Sequence, residues 1–314
     1  MIKKALIYVV CFTIGLYALR YLHWKGLLTQ KQGYYAKYRT AFLEKNDFDV
    51  LFLGSSRVAM HYNTALFDSL TGSNSFNLSL SGATPRVSLA VLKAYLQNSA
   101  LPKCILLETD LHNVNVDGDI MEFNNYFPFF KNKTLLDEFD KIDPRMKYFY
   151  YNAFYSWPYT GYRNLNTSLH SWLGINGKID DRFYKGYVRN DYENGSCLKL
   201  AKPYTAGFTA MNGKCFQEII TFCKQNNIQL ILVSSPMFAG GKIDLLNKQQ
   251  IVTIVDAYAE INELQHWNLS STPYCNQRGL FIDHFHMNYK GARLFTSKLA
   301  YLYSNNCQKN ALNP

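Results

Sequence analysis

The sequence predicts an α/β protein: a three-layer α/β/α sandwich on a mainly parallel five-stranded sheet, with an aromatic-rich insertion and an N-terminal transmembrane helix. Strand-like runs at about 49–54, 74–80, 103–109, 228–234 and 279–282 alternate with helix-compatible stretches at about 60–71, 85–99, 213–226, 246–265 and 290–304. Such alternation implies parallel strands joined by right-handed crossovers. The helical stretches carry one apolar face, as Leu89, Leu92 and Leu96 do, and as Phe216, Ile219, Ile220 and Cys223 do. A chain of 314 residues with 48% hydrophobic and 18% charged content buries a large core.

The first element is Met1-Ile-Lys-Lys4 followed by an uncharged run from Ala5 to Leu19 and then Arg20 to Lys25. A basic head before an apolar run marks a signal peptide or an anchor, and without an Ala-x-Ala arrangement an uncleaved anchor over residues 1–25 is expected. That run rises only ~23 Å as a helix, short of the ~30 Å hydrocarbon core, so Arg20 is expected to snorkel while Tyr21, Leu22 and Trp24 extend the span. Lys3 and Lys4 place the N-terminus inside, which leaves residues 26–314 as an extracytoplasmic domain, in the periplasm or at the cell surface.

The first strand, Asp49-Val-Leu-Phe-Leu53, stops at Gly54-Ser55-Ser56. A hydroxyl there lies at a strand's carboxyl end, where open α/β sheets bind ligands and a following helix offers N–H groups to a developing oxyanion. The same tripeptide also reads as a turn that caps a helix. Arg57 is a candidate to bind a substrate carboxylate or to pair with an acid. His61 and His112 follow strand ends and are candidates to line the pocket, while Ser234-Ser-Pro236, ending the fourth strand, supplies rival serines. In the last strand-like run, Gly279-Leu-Phe-Ile-Asp283, the carboxylate is followed by His286 at a spacing that lets it reach Nδ1. An Asp so placed sets the imidazole tautomer and leaves Nε2 to take a proton from Ser56. His284 beside them would make a metal cluster, but neighbouring acidic and cysteine ligands are sparse, and no metal is expected.

These residues resemble the SGNH hydrolases, the GDSL-like superfamily of esterases and acyltransferases with a flavodoxin-like sheet. Gly54-Ser55-Ser56 is similar to the first family block with Ser in place of the usual Asp. The resemblance implies that Ser56 is the nucleophile, with His286 as base and Asp283 as its orienting acid. Asn77-Leu-Ser-Leu-Ser-Gly82 looks like the second block, which implies that the Gly82 N–H joins that of Ser56 in an oxyanion hole. The third block, Gly-x-Asn-Asp in the family, is replaced by Cys104-Ile-Leu-Leu-Glu108-Thr-Asp110-Leu-His-Asn113, leaving Asn113 as the candidate third donor. Similarity is concentrated at the two ends of the chain, as in membrane-linked members that act in polysaccharide O-acetylation and D-alanine transfer. It implies cofactor-free acyl-ester chemistry, acetyl first, on an envelope carbohydrate, with a membrane-bound O-acyltransferase as a candidate partner. The alternatives are a non-catalytic module of the same fold that binds glycan or an acyltransferase, and a lysophospholipase.

Residues 115–208 break the strand–helix pattern with aromatic clusters such as Tyr126-Phe-Pro-Phe-Phe130 and Tyr148-Phe-Tyr-Tyr151. Leaving from the third strand's end, this tract is expected to be a lid or substrate platform, or else a satellite core or membrane-interface element. Arg145, Arg163, Arg182 and Arg189 are candidates to hold an anionic polymer. The formal charge of +10 is scattered and accompanied by no nucleic-acid motif, so an anionic glycan or membrane surface is the expected partner. Of the seven cysteines, Cys104 reads as a buried small hydrophobe, whereas Cys197 with Cys215 or Cys223, and Cys275 with Cys307, are candidate disulfides.

Overall fold

A computed structural model of the chain describes residues 1–109, 120–175, 182–192, 205–207, 209–239 and 246–312. Five parallel strands, β1 (Val50–Leu53), β2 (Ser75–Asn77), β3 (Cys104–Glu108), β6 (Gln229–Ser234) and β7 (Gln265–Asn268), form one sheet in the order β2-β1-β3-β6-β7. Strand side chains alternate between faces. Leu51, Leu53, Ile105, Leu107, Leu230 and Leu232 enter one core with α2 (Gly33–Leu43), α5 (Pro85–Leu96), α10 (Ala210–Gln225) and α11 (Lys248–Ile261). Val50, Phe52, Leu106, Ile231 and Val233 enter the other, with α3 (Ser56–His61), α4 (Thr64–Thr71) and α12 (Tyr289–Leu312). The predicted three layers follow. Because the chain goes from β1 first to one side and then to the other, the switch point lies at the carboxyl end of β1.

The fifth strand is not the run at 279–282. Arg278–Leu280 is a 3₁₀ turn, and Phe281 only bridges Met287. Leu280 and Phe281 owe their apolar character to the core against α12, not to a ladder. The true edge strand, Gln265-His-Trp-Asn268, is largely polar; only Gln265 falls within the expected helix at 246–265, and the rest falls in no expected element. That helix stops at Ile261: Glu263 turns left-handed with φ +55°, and the Leu264 N–H closes back on the Ala259 carbonyl. The stretch at 60–71 is likewise two helices, α3 and α4, the second capped by the Asn63 side chain.

The aromatic tract folds into α6 (Lys133–Ile142), α7 (Met146–Tyr151), α8 (Ala153–Ser156) and α9 (Tyr162–Trp172), then the hairpin β4 (Phe183–Tyr184) and β5 (Tyr187–Val188). Tyr126 and Phe129 turn inward onto Tyr38 and Phe42 of α2, Phe139 packs on Tyr126 and Phe130, and all four join the main core. The N-terminal helix α1 (Ile2–Leu28) is long and apolar enough to cross a membrane, and it runs without a break past residue 25. His23, Gly26 and Leu27 are buried, with Ser168 donating to the His23 carbonyl and Trp24 stacked on Tyr150. Cys215, Cys223 and Cys275 are thiols, contrary to the disulfide expectation; Cys215 and Cys223 fill the apolar face of α10, and Cys275 donates to the Ser270 carbonyl. Cys104 is a buried thiol on β3, while Cys197 and the side chain of Cys307 lie outside what is described.

Lys37 on α2 is buried with its ammonium on Ser79 Oγ (3.0 Å) and the Gly186 carbonyl (3.2 Å). No described carboxylate lies within ion-pair reach. Burial pushes its pKa down to about 7 from 10.5. Between those values the unfolded chain holds a proton that the folded chain has given up, so stability rises with pH across that window, and the burial penalty is fully present below about 7. Chemical denaturation from pH 6.5 to 10 should therefore show wild-type stability rising by roughly 2–4 kcal/mol relative to Lys37→Met. Parallel profiles for the two proteins would contradict a desolvated, unpaired ammonium.

Candidate active site

Ser56 is placed by an abrupt exit from β1. Gly54 adopts φ +147°, which side-chain-bearing residues avoid, and Ser55 then caps α3 by accepting the Arg57 N–H on its Oγ at 3.3 Å. The capping and nucleophile readings of the tripeptide thus fall on different serines. Ser55 is wholly buried, whereas Ser56, the first residue of α3, is partly exposed and has its Oγ 2.8 Å from His286 Nε2.

His286 lies in the loop before α12, with Nδ1 2.8 Å from Asp283 Oδ2 and 3.0 Å from Oδ1. Asp283 Oδ1 also accepts the backbone N–H groups of Phe285 and His286, each at 2.8 Å. Burial raises the Asp283 carboxyl, but the bonds from the His286 ring and the two N–H groups outweigh it, so its pKa falls below the ordinary value. A carboxylate held ionised at Nδ1 keeps the proton there and turns the Nε2 lone pair to the Ser56 hydroxyl.

Gly82 sits in a turn beside the same strand end: Leu80 N–H donates to the Gly54 carbonyl at 3.1 Å, and Gly82 takes φ +63°. A Cβ there would collide with the Met121 side chain. Among the described residues no acceptor takes the backbone N–H of Ser56 or of Gly82. Asn113 and His112 lie outside the described residues.

Arg57 points into the interior. Its side chain is fully buried, 3.5 Å from Glu108 Oε1, and its NH2 donates to the carbonyls of Ser235 (2.6 Å) and Pro236 (3.3 Å). Of the two expected roles it takes the pairing one. Glu108 also accepts from Tyr62 Oη at 2.7 Å and from the Ser235 N–H at 3.0 Å. His61 is wholly buried too, so it does not line a pocket. Its Nε2 accepts the Met287 N–H at 2.9 Å, which puts the ring proton on Nδ1, 3.2 Å from Ser235 Oγ. His61 thus ties the residue after His286 to the helix that begins with Ser56. Its position on α3 was readable; its connection to Met287, 226 residues away, was not.

Ser234 carries a second series. Its Oγ is 2.8 Å from His266 Nε2, and His266 Nδ1 is 2.6 Å from Asp256 Oδ1. Ser234 is completely buried and shares its hydroxyl with Thr109 Oγ1 at 2.7 Å. Geometry alone nominates two serines, and access to the hydroxyl separates them.

No protein-family model matches the chain, and neither does any curated protein. Among solved structures it is similar to a protein from Desulfitobacterium hafniense DCB-2 described as lipolytic and of the G-D-S-L family, with 9% identity and a TM-score of 0.40 over 81% of this chain and 99% of that one. It is similar also to a protein from Bacteroides fragilis NCTC 9343 described as an acylhydrolase, with 13% identity and a TM-score of 0.42 over 85% of this chain and 94% of the other.

Proposed function

We propose that the protein is a membrane-anchored serine esterase or O-acyltransferase of the SGNH type that acts on acyl esters, acetyl first, of a cell-envelope carbohydrate. The observation that carries this reading is the accessible Ser56–His286–Asp283 series at the carboxyl end of β1. Ser56 Oγ attacks the acyl carbonyl while His286 Nε2 takes its proton, and Asp283 stabilises the resulting imidazolium. The oxyanion is held by the N–H groups of Ser56 and Gly82. Collapse expels the alcohol, protonated by His286, and leaves an acyl-Ser56 ester. Water then completes hydrolysis, and a sugar hydroxyl completes transfer. The apolar α1 with Lys3 and Lys4 at its head supports an anchor that leaves the remaining chain outside, within reach of a membrane-bound O-acyltransferase that delivers acyl groups.

The test uses the full-length protein in detergent, because the last turns of α1 are packed into the domain. With p-nitrophenyl acetate and envelope oligosaccharide, wild type should release p-nitrophenol, and mass spectrometry should find acetate, acetylated sugar or both. His286→Ala should lower release by roughly 10⁴-fold. No wild-type release with or without the sugar, or undiminished release by His286→Ala, would overturn the assignment.

A further inference from the structure

We propose that α7, α8 and α9 form a foot that enters the lipid leaflet beside α1, so that the domain is held by a lipid-embedded surface rather than by one tethering helix. This rests on the reading of α1 as a membrane helix. On α9 and its C-cap, Tyr162, Leu165, Leu169, Trp172 and Leu173 are all exposed and recur at helical spacing, an apolar stripe that the described residues leave largely open. Tyr148, Tyr151, Phe154 and Tyr155 add exposed aromatic surface on α7 and α8. Exposed apolar surface of this extent marks an interaction surface, and Tyr- and Trp-rich composition suits the membrane–water boundary.

The occupant is indicated by continuity with α1. Trp172 Nε1 donates to the Leu22 carbonyl at 3.0 Å, Tyr17 Oη donates to the Tyr151 carbonyl at 3.0 Å, and the Phe154 ring lies 6.1 Å from that of Phe12. These contacts descend α1 from residue 22 to residue 12, about 15 Å of helix. Residues 2–22 rise about 31 Å, close to the hydrocarbon thickness, so the foot runs beside the outer half of the span. It also supplies what Arg20 needs there: the guanidinium donates to the Tyr150 carbonyl at 3.0 Å and lies over the rings of Tyr17 and Trp24. About one and a half turns beyond Arg20, Lys25 and Lys131 flank a cleft of about 160 Å³ walled by Trp24 and Tyr150, suited to lipid headgroups.

Full-length protein reconstituted into phosphatidylcholine and phosphatidylglycerol vesicles carrying a diazirine-acyl phosphatidylcholine tests this, with adducts mapped by mass spectrometry. Adducts are expected on residues 2–22 and also on residues 148–173. The exposed-site variant Tyr155→Ser with Leu169→Ser should lower the second set several-fold and leave the first unchanged. Labelling confined to α1 would overturn the foot while leaving the anchor, and would assign the face to water or to a protein partner. Labelling of neither segment would overturn the foot and the anchor together.

Discussion

Ser56→Ala should abolish covalent labelling by a fluorophosphonate, and Ser234→Ala should leave it intact. The reagent reports a serine whose oxygen is activated by an adjacent base and open to solvent. Both serines meet a histidine nitrogen at 2.8 Å, and both histidines meet a carboxylate. Only Ser56 has surface to offer, since Ser234 is completely buried and its hydroxyl is already shared with Thr109. Loss of a triad nucleophile costs roughly 10⁴–10⁶ in turnover, so ester hydrolysis by Ser56→Ala should fall to that extent. Ser234→Ala should act on stability, by about 1–3 kcal/mol, through the unpaired Thr109 and His266 groups it leaves behind. Labelling that persists in Ser56→Ala and vanishes in Ser234→Ala would reverse the assignment.

Glu108→Ala should destabilise the fold by about 3–5 kcal/mol, because it removes the buried carboxylate that faces the Arg57 guanidinium. For a domain of this size that corresponds to a fall in melting temperature of about 10 °C. The loss extends beyond one pair, since Glu108 also holds the Tyr62 hydroxyl and the Ser235 N–H. The double replacement Arg57→Met with Glu108→Leu removes both charges and should recover much of the deficit, as buried ion pairs often add little over apolar packing. Thermal melts of the single and double variants decide this. A stable Arg57→Ala protein whose only defect is a raised KM would instead restore a substrate-binding role for Arg57.

Much of this organisation is legible in the sequence. Strand–turn–helix punctuation around Gly54, and an Asp–His spacing of three, are local patterns, and local geometry follows from them. Strands β1, β3 and β6 were readable because both of their faces are buried, which demands unbroken apolar residues. Strand β7 was not, because an edge strand needs no apolar run; Leu280 and Phe281 mark a core contact instead. Helix α2 escaped notice as well, since it presents Lys37 to the interior and lacks a clean apolar stripe.

The sequence by itself determined the α/β alternation, the apolar N-terminal helix and a candidate serine, aspartate and histidine. Only the tertiary structure decided that Arg57 faces Glu108 and not solvent, that His61 braces the His286 loop, and that Ser234 is sealed beside a second histidine and aspartate. Burial and long-range hydrogen bonding depend on which distant segments pack together, and no spacing within one segment encodes them.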